Sequence, residues 1–331
     1  MNKIGIVGGS GFIGSALGRH LSRSFLVKIL DKKPAPKDLE EETEYQQLNI
    51  EEYDKVEQGL RDVDLVIHAA IVQIPLINEA KKRGYEVNIM GTHNVCEAVN
   101  RNPLTKGMIL TGTWHVVGER ELRGVIDEEF GFRPDKVEDR ARLYALCKIG
   151  QEIIVRLYGE ISEKTYGVVR MGTVLGKGMP KETAAARFIA KGLEGEPLTP
   201  YKHSAYRPML YTDVNDICRA FEVYARKILK GEIRKEGASL SHIVNVYWPE
   251  PITILELAEM TRNAIIKYSN GKIRPEIEIV DKEQPVLFTP ESKKLIKIDA
   301  SRAKNFLELE KMTNPKETME EIIKERIAVL R

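Results

Sequence analysis

The sequence predicts an α/β fold, a doubly wound parallel sheet covered by helices on both faces, with a smaller C-terminal α/β domain. Three observations predict it. Short apolar runs rich in branched residues recur through the first 170 or so positions, amphipathic charged segments separate them, and the first run leads into a glycine-dense turn. Strands buried on both faces lose the polar alternation of half-exposed strands. Their regular alternation with helical segments calls for right-handed crossovers in one open sheet.

The expected strands are Lys3–Val7, Phe25–Leu30, Asp64–Ile67, Met108–Leu110, Tyr166–Val169 and Ile243–Val246, each bounded by Gly, Asp or Asn. Helical periodicity marks Glu51–Leu60, Val87–Asn100 and Glu138–Tyr158, and a further helix begins near Phe12. Lys32–Glu42, with two prolines and many charges, reads as a solvent loop. Past about residue 172 the alternation fades. Met179–Tyr206 and Glu250–Glu310 look like material that covers a cleft, and Ile243–Val246 is expected to return to the main sheet.

Composition narrows the partners. Lys plus Arg total 51 against 49 Asp plus Glu, a net charge of +2. That balance gives no electrostatic reason for nucleic acid or an anionic membrane as partner. Cys96, Cys147 and Cys218 are far apart and lack metal-ligand spacing, so they read as free thiols of a reducing compartment, with no metal site. No apolar run is long enough to cross a membrane, and the chain enters its first strand directly. A cytoplasmic protein is expected.

Between the first strand and the first helix stands Gly8-Gly9-Ser10-Gly11-Phe12-Ile13-Gly14. Gly8, Gly11 and Gly14 in that setting let backbone approach a pyrophosphate, whose charge faces a helix N-terminus. Asp31 ends the second strand, where a carboxylate accepts hydrogen bonds from the adenosine ribose and repels a 2′-phosphate. Lys32 and Lys33 pull toward NADP, and Asp31 decides the expectation for NAD. The N-terminal domain, residues 1–172 joined by parts of 208–248, is therefore expected to be a Rossmann NAD-binding domain. Residues 173–331 then hold a discontinuous substrate-binding region.

Tyr144 and Lys148 lie four apart in a helical segment and so share a face. Free tyrosine, with a pKa near 10, is a poor base at neutral pH. An ammonium one turn away and a cationic nicotinamide favour the phenolate, which then exchanges a proton with a substrate hydroxyl. Tyr268 and Lys272 share the spacing, but Asn270-Gly271 between them marks a loop. Thr113 closes Thr111-Gly112-Thr113 at the carboxyl end of a strand, from which a hydroxyl points into the ligand crevice.

Together with Val66-Ile67-His68-Ala69-Ala70, Val87-Asn88-Ile89-Met90-Gly91-Thr92 and Val168-Val169-Arg170, these pieces stand in family order. The chain resembles an extended short-chain dehydrogenase/reductase of the NAD-dependent epimerase/dehydratase family. The resemblance implies that Gly8, Gly11, Phe12, Ile13 and Gly14 surround the pyrophosphate and that Asp31 holds the ribose. It puts Asn49 and Ile50 by the adenine, Ala69 and Ala70 under the cofactor, and Asn88 near the nicotinamide, unless Asn88 is a helix-bending residue. Lys148 also binds the nicotinamide ribose, and Thr113 hydrogen-bonds the reacting oxygen. Helices beginning near Asn88 and Arg142 imply a homodimer, with Val95, Val99, Leu146, Ile153 and Leu157 facing outward.

Several positions depart from the family pattern. Thr113 is followed by Trp114-His115, without the acidic residue of dehydratases and decarboxylases; His115 is either a general acid or a satisfied polar group. Val116-Val117-Gly118 replaces valine-tyrosine-glycine, and Thr173 stands where nucleotide-sugar enzymes carry Asn. Arg207 lies two residues early relative to Val214-Asn215-Asp216, yet is expected to face the cleft and hold an anionic or polyhydroxyl group. Lys282, Lys293 and Lys294 are weak stand-ins for a second arginine, since a lysine lacks the bidentate fork. Three functions stay open: a nucleotide-sugar 4-epimerase, a dehydrogenase or reductase of a non-nucleotide hydroxyl compound resembling the hydroxysteroid branch, and a non-catalytic NAD sensor.

Overall fold

A computed structural model of the chain describes residues 1–233 and 242–329; residues 234–241, within the 208–248 stretch, lie outside the described residues. Seven strands form the central sheet: β1 (Lys3–Val7), β2 (Leu26–Asp31), β3 (Glu44–Gln47), β4 (Leu65–His68), β5 (Gly107–Thr113), β6 (Thr165–Met171) and β7 (Ile243–Val246). Their order is β7-β6-β5-β4-β1-β2-β3, and every neighbouring pair is parallel. The chain turns from one half of the sheet to the other between β1 and β4. In such sheets the crevice beyond the carboxyl ends at that switch receives the ligand.

Among the described residues the longer helices are α1 (Phe12–Leu21), α2 (Tyr53–Gly59), α3 (Gly91–Arg101), α4 (Arg142–Ile161), α5 (Ala184–Leu193), α6 (Val214–Lys230), α7 (Ile254–Tyr268), α8 (Ser301–Leu307) and α9 (Pro315–Val329). Side chains alternate across the strands and meet different helices. Leu65, Ile67 and Ile109 pack with Leu17 and Leu21 of α1 and Ile217 and Phe221 of α6. Val66, Met108 and Leu110 pack with Val95 and Val99 of α3 and Val155 of α4. That arrangement overturns one expectation. Val95 and Val99 turn inward and are fully buried, because α3 covers the sheet directly. On α4, Leu146, Ile153 and Leu157 do face outward and are about half exposed, and Ile161 is more exposed still.

Three further differences are physical. β3 carries no apolar pattern, because it is a sheet edge whose side chains are mostly exposed. β5 runs on through Thr111, Gly112 and Thr113, since β6 pairs with it along its whole length. The 32–42 segment is not wholly solvent loop: Leu39 is fully buried beneath Gly18 of α1, and Ala35 is nearly so.

Beyond the two sheet faces a third apolar cluster joins α5, α7 and α9 through Phe188, Ile189, Leu257, Ile265, Met319 and Ile323. It also takes in Trp114, Val116, Val117 and Ile126, which follow β5 in the chain. Short strand pairs tie the parts together: Thr173–Leu175 with Tyr211–Asp213, and Gly124–Ile126 with Ile296–Ile298. No helix among the described residues is long and apolar enough to cross a membrane.

Candidate active site

The turn after β1 is a cradle of backbone. Gly8 has φ +82°, in the left-handed region, and a Cβ there would stand 2.4 Å from the Ala70 nitrogen. A Cβ on Gly14 would stand 2.3 Å from the Gly8 oxygen. Gly11 is the N-cap of α1, whose first turn has neither a side-chain cap nor an acidic residue. A Cβ on Gly11 would stand 3.4 Å from the Gly8 oxygen, an ordinary contact, so that position is less crowded than its neighbours. Uncapped amides at a helix N-terminus, with bare backbone before them, suit a pyrophosphate. The residues present therefore fit a dinucleotide.

Asp31 ties this turn to the loop after β2. Its Oδ2 accepts from the Ser10 amide at 3.0 Å and its Oδ1 from the Lys33 amide at 2.9 Å. Ala69 donates its amide to Val7, next to the partly exposed Ala70. Asn49 has local partners: its side chain donates to Glu52 and accepts from the Glu51 amide at the entry to α2. Ile50 is buried against Gly91. Asn88 is fully buried in a π-type turn, Glu86–Met90, that runs into α3. Both ends of its amide bond Val72, accepting at 2.7 Å and donating at 3.1 Å, so it pins the loop after β4.

Thr113, Tyr144 and Lys148 converge at the carboxyl end of β5. Lys148 is buried and donates to the Thr111 carbonyl at 2.7 Å; burial pulls its ammonium down to about 7. Burial pushes the Tyr144 phenol up to about 12, opposed by a hydrogen bond with Thr113. The edge of the His115 ring meets the Tyr144 ring, centroids 5.7 Å apart. Burial, aided by Arg207 and Arg140 and opposed by Glu138, pushes His115 down to about 3 and keeps it neutral. The second tyrosine–lysine pair is no match: Tyr268 ends α7, Asn270 and Gly271 both have positive φ, and Tyr268 donates to Glu320.

On the substrate side the expectations change. Arg207 is buried and ion-paired inside the protein, with Glu119 at 3.4 Å and with Glu138. The early register explains this. Arg207 precedes the Pro208–Met209 strand and points into a cluster of charges rather than standing over the cleft as a free cation. Arg140 holds Glu138 from the other side at 2.9 Å. Burial raises the Glu119 carboxyl, whereas the two arginines outweigh burial at Glu138 and hold it low. Thr173 accepts from the indole of the fully buried Trp114 at 3.0 Å. Lys293 and Lys294 pair with Glu256 and Glu291, and Lys282 lies over the Tyr201 ring. Glu119, Glu138 and Arg140 escaped the sequence reading. In a chain that is 30% charged, nothing local separates them from surface residues.

The model of the NAD dependent epimerase/dehydratase family matches residues 4–236. UDP-glucuronic acid decarboxylase 1 of Danio rerio is 25% identical over 284 residues, 83% of this chain and 64% of that protein, so the chain spans just under two thirds of its length. The structure of MoeE5 in complex with UDP-glucose and NAD covers 100% of both chains with a TM-score of 0.77 at 19% identity. UDP-glucuronic acid 4-epimerase of Bacillus cereus, in complex with UDP-glucuronic acid and NAD, covers 98% of this chain and 99% of its own with a TM-score of 0.75 at 21% identity. At such identities the structures speak for the fold alone, but the family model spans well over half of the chain. The chain belongs to the NAD-dependent epimerase/dehydratase family, an enzyme family whose cofactor is NAD.

Proposed function

We propose that the protein is a sugar-nucleotide 4-epimerase in which Tyr144 is the acid/base. The observation that carries this reading is the pairing of Tyr144 with Thr113, which is followed in the chain by Trp114 and His115 where a dehydratase carries an acidic residue. Trp114, the next residue, is a buried indole bound to Thr173, and His115 is neutral. Elimination of water needs a second acid beside the first, whereas epimerisation needs one group that takes a proton and returns it. Bound on the Gly8–Gly14 cradle, NAD supplies the acceptor and donor of hydride. Gly8, Gly11, Phe12, Ile13 and Gly14 hold its pyrophosphate, Asp31 the ribose, and Ala69 and Ala70 the floor. Asn49, Ile50 and Asn88 act one layer back, by shaping the loops. Lys148, one turn along α4, favours the phenolate of Tyr144.

The relatives' sugar nucleotides supply the substrate class. One observation favours a second reading, a dehydrogenase of a hydroxyl compound without a diphosphate: Arg207 is neutralised by Glu119 and Glu138. The apolar stripe Leu146, Ile153, Leu157 and Ile161, with the exposed Met90, supports a homodimer. The three free thiols support a reducing, cytoplasmic setting.

Incubation with NAD and UDP-glucose or UDP-glucuronic acid tests the reading. An epimerase yields the 4-epimer by chromatography without accumulating NADH, and stoichiometric NADH marks the dehydrogenase. Tyr144→Phe keeps the ring and NAD binding but lowers turnover by about 10²–10⁴. Near-normal turnover in that variant removes Tyr144 from the role.

A further inference from the structure

Gln151 is a polar side chain on the buried face of α4, seven residues after Tyr144 and three after Lys148. It is 0% exposed. Its amide nitrogen donates to Thr92 Oγ1 at 2.8 Å and to the Ala70 carbonyl at 3.3 Å. Its amide oxygen has no partner among the described residues. A buried amide with one end unpaired costs the fold more than a methionine of similar size would. Stability therefore does not account for a glutamine here, and the two atoms that it reaches do.

Thr92, in the first turn of α3, is a filled junction. Its single proton goes to the Asn88 carbonyl at 2.7 Å, so its oxygen accepts from Gln151 and from His68 Nε2 at 2.9 Å. Burial, helped by Lys148, pulls His68 down to about 3, so the ring is neutral and spends its one N–H on Thr92. Asn88 in turn grips Val72 with both ends of its amide. Ala70 lies against the glycine turn, its nitrogen being the atom closest to where a Gly8 Cβ would stand. The helix of Tyr144 and Lys148 thus reaches the loop after β4 twice: directly at Ala70, and through Thr92 and Asn88 at Val72.

We propose that Gln151 is a positioning residue that holds the 69–72 segment, and with it bound NAD, at a fixed distance from Tyr144 and Lys148. Apolar packing between a helix and a strand end is not directional, whereas hydrogen bonds fix separation and angle. Misplacing reacting groups by about 1 Å is enough to slow chemistry strongly. The inference rests on the reading that puts Ala69 and Ala70 under the cofactor.

Gln151→Met keeps the volume and removes both bonds. In the free protein, amide hydrogen exchange at Val72 should quicken about fivefold, the weight of one hydrogen bond. Calorimetry should show NAD binding about fivefold weaker. The thermal midpoint should stay near that of the wild type, because the unpaired amide oxygen leaves with the side chain. Val155→Ala opens a cavity where the same helix meets the sheet, and should do the reverse. It should lower the midpoint and leave Val72 exchange and NAD affinity unmoved. If Gln151→Met does not fold, Thr92→Val against Thr92→Ser makes the same comparison, since only the serine keeps the hydroxyl. Unchanged Val72 exchange or unchanged NAD affinity in Gln151→Met overturns the proposal, as does an equal loss of affinity in Val155→Ala. With NAD bound normally by the wild type, such a failure removes the brace alone and leaves the proposed reaction standing. A wild type without NAD affinity removes both.

Discussion

The turn after β1 and the charge cluster behind Tyr144 are held together by opposite means. In the turn, backbone meets backbone. Gly8 and Gly14 leave no room for a Cβ, and the contacting atoms are those of Ala70, Gly8 and Gly9. In the cluster, long side chains reach across the fold: Arg207 and Glu119 are 88 positions apart and both buried. The first is stiff and cheap in charge. The second is stabilised only while every partner is present, because an unpaired buried charge costs far more than a pair contributes. The difference teaches where each kind of substitution should hurt.

The largest effect is expected in the cluster. Arg207→Ala leaves Glu119 and Glu138 buried without their shared cation and should cost about 3–5 kcal/mol of stability. The loss should depend on pH in a known direction. Burial already raises the Glu119 carboxyl, and removing Arg207 raises it further. A carboxyl raised on folding contributes stability below its unfolded value and loses that contribution as pH rises through the folded value. Urea unfolding should therefore show a smaller penalty in mild acid than in mild alkali. A penalty independent of pH would show that the carboxyls do not take up protons when the arginine is gone.

The turn should respond next. Gly14→Ala puts a methyl group 2.3 Å from the Gly8 oxygen and 2.6 Å from the Gly9 Cα, both backbone atoms without freedom to swing away. Overpacking of this kind costs about 1–3 kcal/mol. NAD affinity measured by calorimetry should fall with it, whereas Arg207→Ala should leave NAD affinity close to that of the wild type wherever the protein is folded. The reverse pattern would break the division between the two regions.

Asp31→Ala should be milder for the fold and specific for the cofactor. It deletes the acceptor that joins the Ser10 and Lys33 amides. NAD should bind more weakly by about 1.5–3 kcal/mol, the range of a charge-assisted hydrogen bond. The preference over NADP should narrow by calorimetry, since Lys32 and Lys33 remain. An unchanged preference would mean that the carboxylate serves the turn alone.

The smallest effect on stability belongs to the outer face of α4. Ile153 is half exposed, so Ile153→Lys should change monomer stability by less than about 0.5 kcal/mol. Light scattering should nevertheless show the wild type as a dimer and the variant as a monomer. A monomeric wild type ends the homodimer proposal.

Much of the cofactor side was legible in the sequence. A glycine turn between a strand and a helix, and a carboxylate at the end of the next strand, are short-range patterns whose geometry follows from chain connectivity. Tyr144 and Lys148 were legible for the same reason, being one turn apart on a single helix. β3 was hidden because an edge strand need not be apolar, and the end of β5 because Thr111-Gly112-Thr113 joins the sheet only through its pairing with β6.

What the sequence by itself determined is the class of fold, the order of its main strands and helices, the glycine turn between the first strand and helix, and the place of Tyr144 and Lys148 one turn apart on a single helix. Tertiary structure alone decided which faces of α3 and α4 are covered, and which few of the many charges are buried. Val95 turned inward and Leu157 did not, although both are apolar residues on amphipathic helices. Arg207 became an internal anchor for Glu119 rather than a cation over the cleft, because its partners come from distant parts of the chain. Periodicity and spacing act over a few residues, whereas burial of a charge is set by everything the fold packs around it.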